Sequence, residues 1–174
     1  WNLISFENLG EYYSGLSGKK KEDFGEGKPY IPFMNIMANE VININYTDLV
    51  KIKEGEKQNL AQKGDLFFNT SSETPEEVGM CSVLNEQIDD LYLNSFCFGF
   101  RLSEQNKRNY LPEYISRFMR SGFGRKIMFP LAQGMTRYNL SKKYFLKSQI
   151  PFPPLSEQQK IAEILSTVDE QIST

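Results

Sequence analysis

No histidine occurs anywhere in this chain of 174 residues. That leaves no imidazole to act as general acid or base, no Ser-His or Cys-His nucleophile pair, and no imidazole-bound zinc. Cysteine is nearly as scarce: Cys81 and Cys97 are the only two, too few for a four-thiolate zinc site. Both lie in apolar, strand-like runs, which predicts buried free thiols rather than a disulfide. With no signal-peptide pattern at the start, a cytoplasmic setting is expected. No apolar run approaches the roughly 20 residues that cross a membrane, so no membrane partner is expected. The glycines make no phosphate loop, because Gly122-Phe123-Gly124 continues as Arg125-Lys126-Ile127 where a dinucleotide fingerprint needs its third glycine. No metal and no cofactor are expected.

Two nucleic-acid chemistries also lack their residues. Methyl transfer to a base amino group uses an Asn/Asp-Pro-Pro-aromatic loop, and Phe152-Pro153-Pro154-Leu155 has the prolines without the polar residue or the final aromatic. A metal-dependent nuclease needs clustered carboxylates with a lysine. Glu26-Gly27-Lys28 matches half of such a motif, a spacing that chance supplies in a chain with 24% charged residues.

What is present suits a folded domain: 40% hydrophobic residues in a chain long enough to bury roughly 70% of its unfolded surface. The net charge of -2 hides a segregation. Residues 1–100 carry 8 basic against 16 acidic side chains, whereas residues 101–147 carry 11 basic ones against only Glu104 and Glu113. A local basic excess of this kind is what phosphate binding uses, although charged residues more often form a solvated face.

Strand signals fill the first part: residues 3–13, Tyr30 to Met37, Asp65 to Thr70, Val78 to Leu84 and Leu91 to Leu102 are aromatic or branched and bounded by Gly, Asn or charge. After residue 110 the period changes. Pro112 suits a first helical turn, Tyr114, Ile115, Phe118 and Met119 share one face, and Arg117 and Arg120 stand opposite. A short helix from Arg125 toward Phe129, a turn capped by Ser141 over Lys142 to Lys147, and a strand from Ser148 to Phe152 follow. The expected fold is α+β: a twisted mixed or mostly antiparallel sheet, with helices gathered in the later half and a projecting C-terminal coiled-coil helix.

That last helix carries the most specific signal. Ser156 stands as an N-cap, Gln159 completes a capping box, and Glu157 places negative charge on the first turn. Ile161, Leu165, Val168 and Ile172 then recur at steps of four and three. They form either the seam of a coiled coil or a stripe packed on the domain itself. The chain starts at Trp1 without a methionine and stops inside this helix, as an excised piece of a longer protein would.

The run Pro151-Phe152-Pro153-Pro154-Leu155-Ser156-Glu157-Gln158-Gln159-Lys160-Ile161-Ala162 resembles the junction between a target recognition domain and a spacer helix in the DNA specificity subunits of type I restriction-modification enzymes. Similar wording recurs in order at Trp1 with Leu9-Gly10-Glu11, at Tyr30-Ile31-Pro32 before Asn35-Ile36, at Lys63-Gly64-Asp65-Leu66-Phe67-Phe68-Asn69, and at Gln133-Gly134-Met135-Thr136-Arg137-Tyr138-Asn139-Leu140. The resemblance implies a recognition domain over residues 1–154 and the start of a spacer helix over 155–174. It implies a module without catalysis of its own that reads one half of a split site in double-stranded DNA. Its implied partners are methyltransferase subunits, a restriction subunit through the complex, and a second recognition domain or half-subunit through the spacer.

The candidate DNA contacts are loops. Gln133, Gly134, Thr136, Arg137, Tyr138 and Asn139 combine a flexible glycine with side chains that pair with base edges or phosphates; the same residues also suit a tight turn that merely satisfies its own backbone. Ser71, Ser72 and Glu73 offer acceptors for cytosine or adenine amino groups, or a solvated loop. Arg125, Lys126, Lys142 and Lys143, with Lys19, Lys20 and Lys21, are the candidates for phosphate. A competing reading is a coiled-coil adaptor with no DNA role, and a weaker one is a nuclease or modifying enzyme.

Overall fold

The loosely alternating residues 3–13 do not run as one strand. In the computed structural model, which describes residues 1–173, β1 (Asn2–Ser5) and β2 (Gly10–Ser14) are separated by a single helical turn, α1 (Phe6–Leu9). Phe6 and Leu9, three residues apart, both point inward from that turn and are fully buried. The expected strand from Tyr30 to Met37 is likewise shorter. β3 (Phe24–Ile31) stops before Pro32, and α2 (Phe33–Ala38) follows. The proline has no N–H to continue a ladder. Buried Asn35 then ties the helix to the next loop, donating to the carbonyls of Asn43 and Tyr46 and accepting from the Asn43 N–H.

β4 (Asp48–Val50), which the sequence reading omits, pairs with β3. β5 (Leu66–Asn69), β6 (Ser71–Ser72), β7 (Cys81–Val83), β8 (Tyr92–Leu93) and β9 (Cys97–Leu102) follow. The expected strand Leu91 to Leu102 is thus broken in two, because Asn94 turns the chain: its Nδ2 donates to the Ile31 carbonyl and its Oδ1 accepts from the Phe96 N–H. Next come α3 (Pro112–Arg120), α4 (Gly122–Met128), β10 (Ala132–Gln133), β11 (Tyr138–Leu140), α5 (Lys142–Lys147), β12 (Gln149–Phe152) and α6 (Leu155–Ser173).

The strands form four small sheets in the orders β1-β12, β10-β11-β6, β2-β9-β5-β7 and β4-β3-β8. Every pairing among them is antiparallel except β3 with β8. The α+β class, the mostly antiparallel pairing and the late helices agree with expectation. The main core lies where the four-stranded sheet meets α1, α3 and α5. Phe145 from α5 stacks on Phe6 at 4.2 Å between centroids and meets Phe68 and Phe98 edge-on. Such pairs add about 0.5–1.5 kcal/mol each beyond area burial.

Three helix details depart from the sequence reading. α4 begins at Gly122 rather than Arg125, because Ser121 caps it and accepts from the Gly124 N–H at 3.3 Å. Arg120 does not face solvent: its guanidinium donates to the carbonyls of Ile36, Met37 and Cys81, since α2 and β7 cover that side of α3. α6 begins at Leu155, so Ser156 lies inside the first turn instead of capping it, and the Pro154 carbonyl accepts from Glu157 and Gln158. The structural amide is the neighbouring Gln158, buried, which accepts from the Leu111 N–H at 2.9 Å and donates to the carbonyls of Asn109 and Pro153. No helix among the described residues is long and apolar enough to cross a membrane.

Candidate nucleic-acid interface

The Lys63-Gly64-Asp65 motif is a foundation for this surface rather than part of it. Gly64 takes φ +90, a left-handed turn suited to glycine, and delivers Asp65 into the protein at 1% exposure. There Asp65 accepts from Arg101 Nε and Nη2 at 2.9 and 2.7 Å, from the Tyr13 hydroxyl at 2.5 Å and from the Gln62 N–H at 2.9 Å. The bidentate carboxylate holds the Arg101 guanidinium above its ordinary value, and burial with the adjacent Asp65 charge pushes the Tyr13 phenol far upward.

At the other end of β5, Asn69 builds the loop that follows. Fully buried, it accepts from the Met80 N–H at 2.6 Å and donates to the carbonyls of Ser71 and Glu77. Ser71 and Ser72 leave this anchor as β6 and pair with β11, Tyr138 facing Ser72 and Asn139 facing Ser71. Two candidate segments far apart in sequence therefore share one small sheet. The hairpin between β10 and β11 turns at Gly134, whose φ is +137 and where a Cβ would lie 2.1 Å from the Arg137 carbonyl oxygen. Only glycine fits there.

This hairpin exposes Gln133, Thr136, Arg137 and Asn139, while Tyr138 is half-buried against the main core. Ser72 is buried and occupied, donating toward Glu77 and accepting from the Thr74 N–H. Ser71, Glu73, Glu77 and Arg137 line a cleft of about 380 Å³ with Phe33 and Phe96.

The basic candidates divide sharply. Arg125 is no free cation: its guanidinium donates to the carbonyls of Glu76, Val78 and Gly79, holding the far side of the same loop, and burial lowers its pKa. Lys19 is buried against Glu56 at 2.8 Å, so only Lys20 and Lys21 of its run are exposed. Arg101 and Arg117 are paired with Asp65 and with Glu40 and Asp169. Lys142 stands half-buried with its ammonium 5.3 Å from the Tyr12 ring centroid. Lys126 and Lys143 are exposed. Much of the basic excess of residues 101–147 thus serves the fold, because a buried carbonyl or carboxylate needs a donor as much as a phosphate does.

On α6, Ala162 is buried and Ile161 packs on the main core, while Leu165, Val168 and Ile172 are 41%, 42% and 78% exposed. The proposed seam therefore starts on the body and leaves it. Arg117 fastens the departing helix through Asp169 at 3.1 Å and Ser166 at 3.0 Å.

The family model of the type I restriction modification DNA specificity domain matches residues 1–174. The chain belongs to that family. Among curated proteins, the EcoKI specificity subunit of Escherichia coli is 30% identical over 171 residues, covering 96% of this chain and 35% of that subunit. The MjaVIII specificity subunit of Methanocaldococcus jannaschii is 27% identical over 168 residues, covering 97% of this chain and 32% of that subunit. This specificity domain therefore spans about a third of the length of the curated relatives it matches. Among solved structures, the HsdS subunit from Thermoanaerobacter tengcongensis superposes with TM-score 0.63 at 15% identity, over 99% of this chain and 38% of that one. The type IIG restriction endonuclease BpuSI superposes with TM-score 0.62 at 9% identity, over 94% of this chain and 26% of that one. At these identities the likeness is one of fold. Nothing in these similarities favours a coiled-coil adaptor without a DNA role.

Within the specificity domain, the cleft residues that sequence reasoning missed are Phe33 and Phe96. The apolar run Leu91 to Leu102 places Phe96 inside a strand, yet it sits 55% exposed on the Asn94 turn, and its carbonyl accepts from the Thr70 N–H. The signal available was Asn94-Ser95, a turn pair inside an apolar run. The two cysteines behave as expected: both are buried free thiols pushed up to about 12 by burial.

Proposed function

We propose that this domain is the target recognition module of a type I restriction-modification specificity subunit. It reads one half of a bipartite site in double-stranded DNA and brings methyltransferase subunits, and through them a restriction subunit, to that site in the cytoplasm. It contributes recognition and scaffolding but no catalysis. Residues 1–154 are the reading body and residues 155–174 open the spacer helix, whose outer stripe meets a second recognition half.

The observation that carries this reading is the pairing of β6 with β11, which gathers Ser71, Glu73, Gln133, Arg137 and Asn139 on one surface of a DNA specificity domain. Phosphate contacts fall to Lys126, Lys142 and Lys143, and to the exposed Lys20 and Lys21. Phosphate contacts set register and affinity while base contacts choose sequence.

The test uses the full-length subunit assembled with its methyltransferase partners. Reversing charge at Lys126, Lys142 and Lys143 should weaken duplex binding and flatten its salt dependence by about 0.9 log unit per lost contact, with the sequence preference retained. Unchanged affinity and salt slope would remove these lysines from the interface. Equal affinity of the unaltered complex for all sequences would end the recognition reading.

A further inference from the structure

Resting on that reading, we infer that Arg137 and Glu73 together read a single G·C base pair in the major groove, Arg137 on the guanine and Glu73 on the cytosine amino group. The antiparallel register sets Tyr138 opposite Ser72 and Asn139 opposite Ser71, so continuing it one residue past the end of the ladder matches Arg137 with Glu73, and both line the same cleft. Both are exposed, and neither makes a hydrogen bond or ion pair among the described residues. Of the other five arginines, all but the exposed Arg108 donate to carbonyls or carboxylates of the fold, and Arg108 is not among the residues that line this cleft. Arg137 is an unspent donor fork on a DNA specificity domain.

The chemistry around it selects the ligand. A phosphate approaching Arg137 would also meet the carboxylates of Glu73 and Glu77, which share the cleft, and like charges repel. A base edge presents acceptors and donors side by side instead. In the major groove only guanine offers two adjacent acceptors, O6 and N7, to a guanidinium fork, and the cytosine paired with it turns an amino donor to the same edge. The donor fork and the carboxylate in one cleft match that order. Phe33 and Phe96 wall the cleft, and the lower dielectric beside their rings strengthens both hydrogen bonds.

The experiment maps methylation by the assembled complex carrying the full-length subunit, unaltered and with Arg137→Lys, Arg137→Ala or Glu73→Ala. The unaltered map should contain a G·C pair at which Arg137→Lys and Glu73→Ala each lose about ten- to hundredfold discrimination, every other position holding. Placing 7-deazaguanine there, which lacks the N7 acceptor, should weaken the unaltered complex and have little further effect on Arg137→Ala, which has no donor left to lose it. Circular dichroism of the purified variants should match the parent, since both side chains are exposed. Two results would overturn the inference while sparing the recognition reading: a map unchanged by either substitution, or a uniform loss with Arg137→Ala that Arg137→Lys restores, which marks a phosphate contact. An unaltered complex that methylates without sequence preference would take both down.

Discussion

Replacing Asp65 by alanine is expected to cost the domain about 3 kcal/mol, the low end for breaking a buried ion pair by removing one partner. The low end applies because the Arg101 side chain remains 31% exposed and recovers some hydration. Four donors lose their acceptor at once: two from Arg101, the Tyr13 hydroxyl and the Gln62 N–H. Asp65→Asn keeps the shape without the charge and should lose roughly half as much. Urea unfolding at neutral pH measures both, and a shift under about 1 kcal/mol for Asp65→Ala would show that the Gly-Asp motif does not hold β2, β5 and β9 together.

That motif illustrates how far the sequence could be read. Gly64-Asp65 was recognisable by its wording and its order among other segments, yet its role emerges only when Arg101 and Tyr13 fold onto it from strands 36 and 52 residues distant. Periodicity located α3 and its buried Tyr114, Ile115 and Met119 correctly, because the apolar face of a helix is a local property. The same pattern misplaced Arg120, since the carbonyls that claim it come from Ile36, Met37 and Cys81, residues with no local signal. The candidate residues 71–73 and 133–139 were legible one segment at a time, from their polar side chains and Gly134. Their pairing through β6 and β11 was not, because two-residue ladders carry too little alternation to be seen.

The second large effect concerns α6. Leu165→Glu with Val168→Glu should leave the body folded, because both side chains already meet solvent, and should dissociate the two halves of the full-length subunit. Burying a Leu or Val is worth about 2 kcal/mol, so losing both weakens pairing by roughly a thousandfold before any repulsion between the new charges. Ile161→Glu should act differently and destabilise the body itself, since Ile161 packs on the main core beside buried Ala162. Light scattering of the full-length complex, beside circular dichroism of the domain, separates the two cases. If assembly survives charge at Leu165 and Val168, the outer stripe is not a helix-pairing surface.

The claim at the centre is that the surface made by β6 and the β10-β11 hairpin chooses the DNA sequence. Its most direct test is the methylation map of the assembled complex with Gln133, Arg137 and Asn139 all replaced by alanine. The account predicts that one half of the bipartite sequence relaxes at one to three positions, the other half and the gap between them holding, with each lost contact worth about 1–3 kcal/mol of discrimination. A map identical to that of the unaltered complex, from a variant that still folds and assembles, would contradict it and make the hairpin a structural turn.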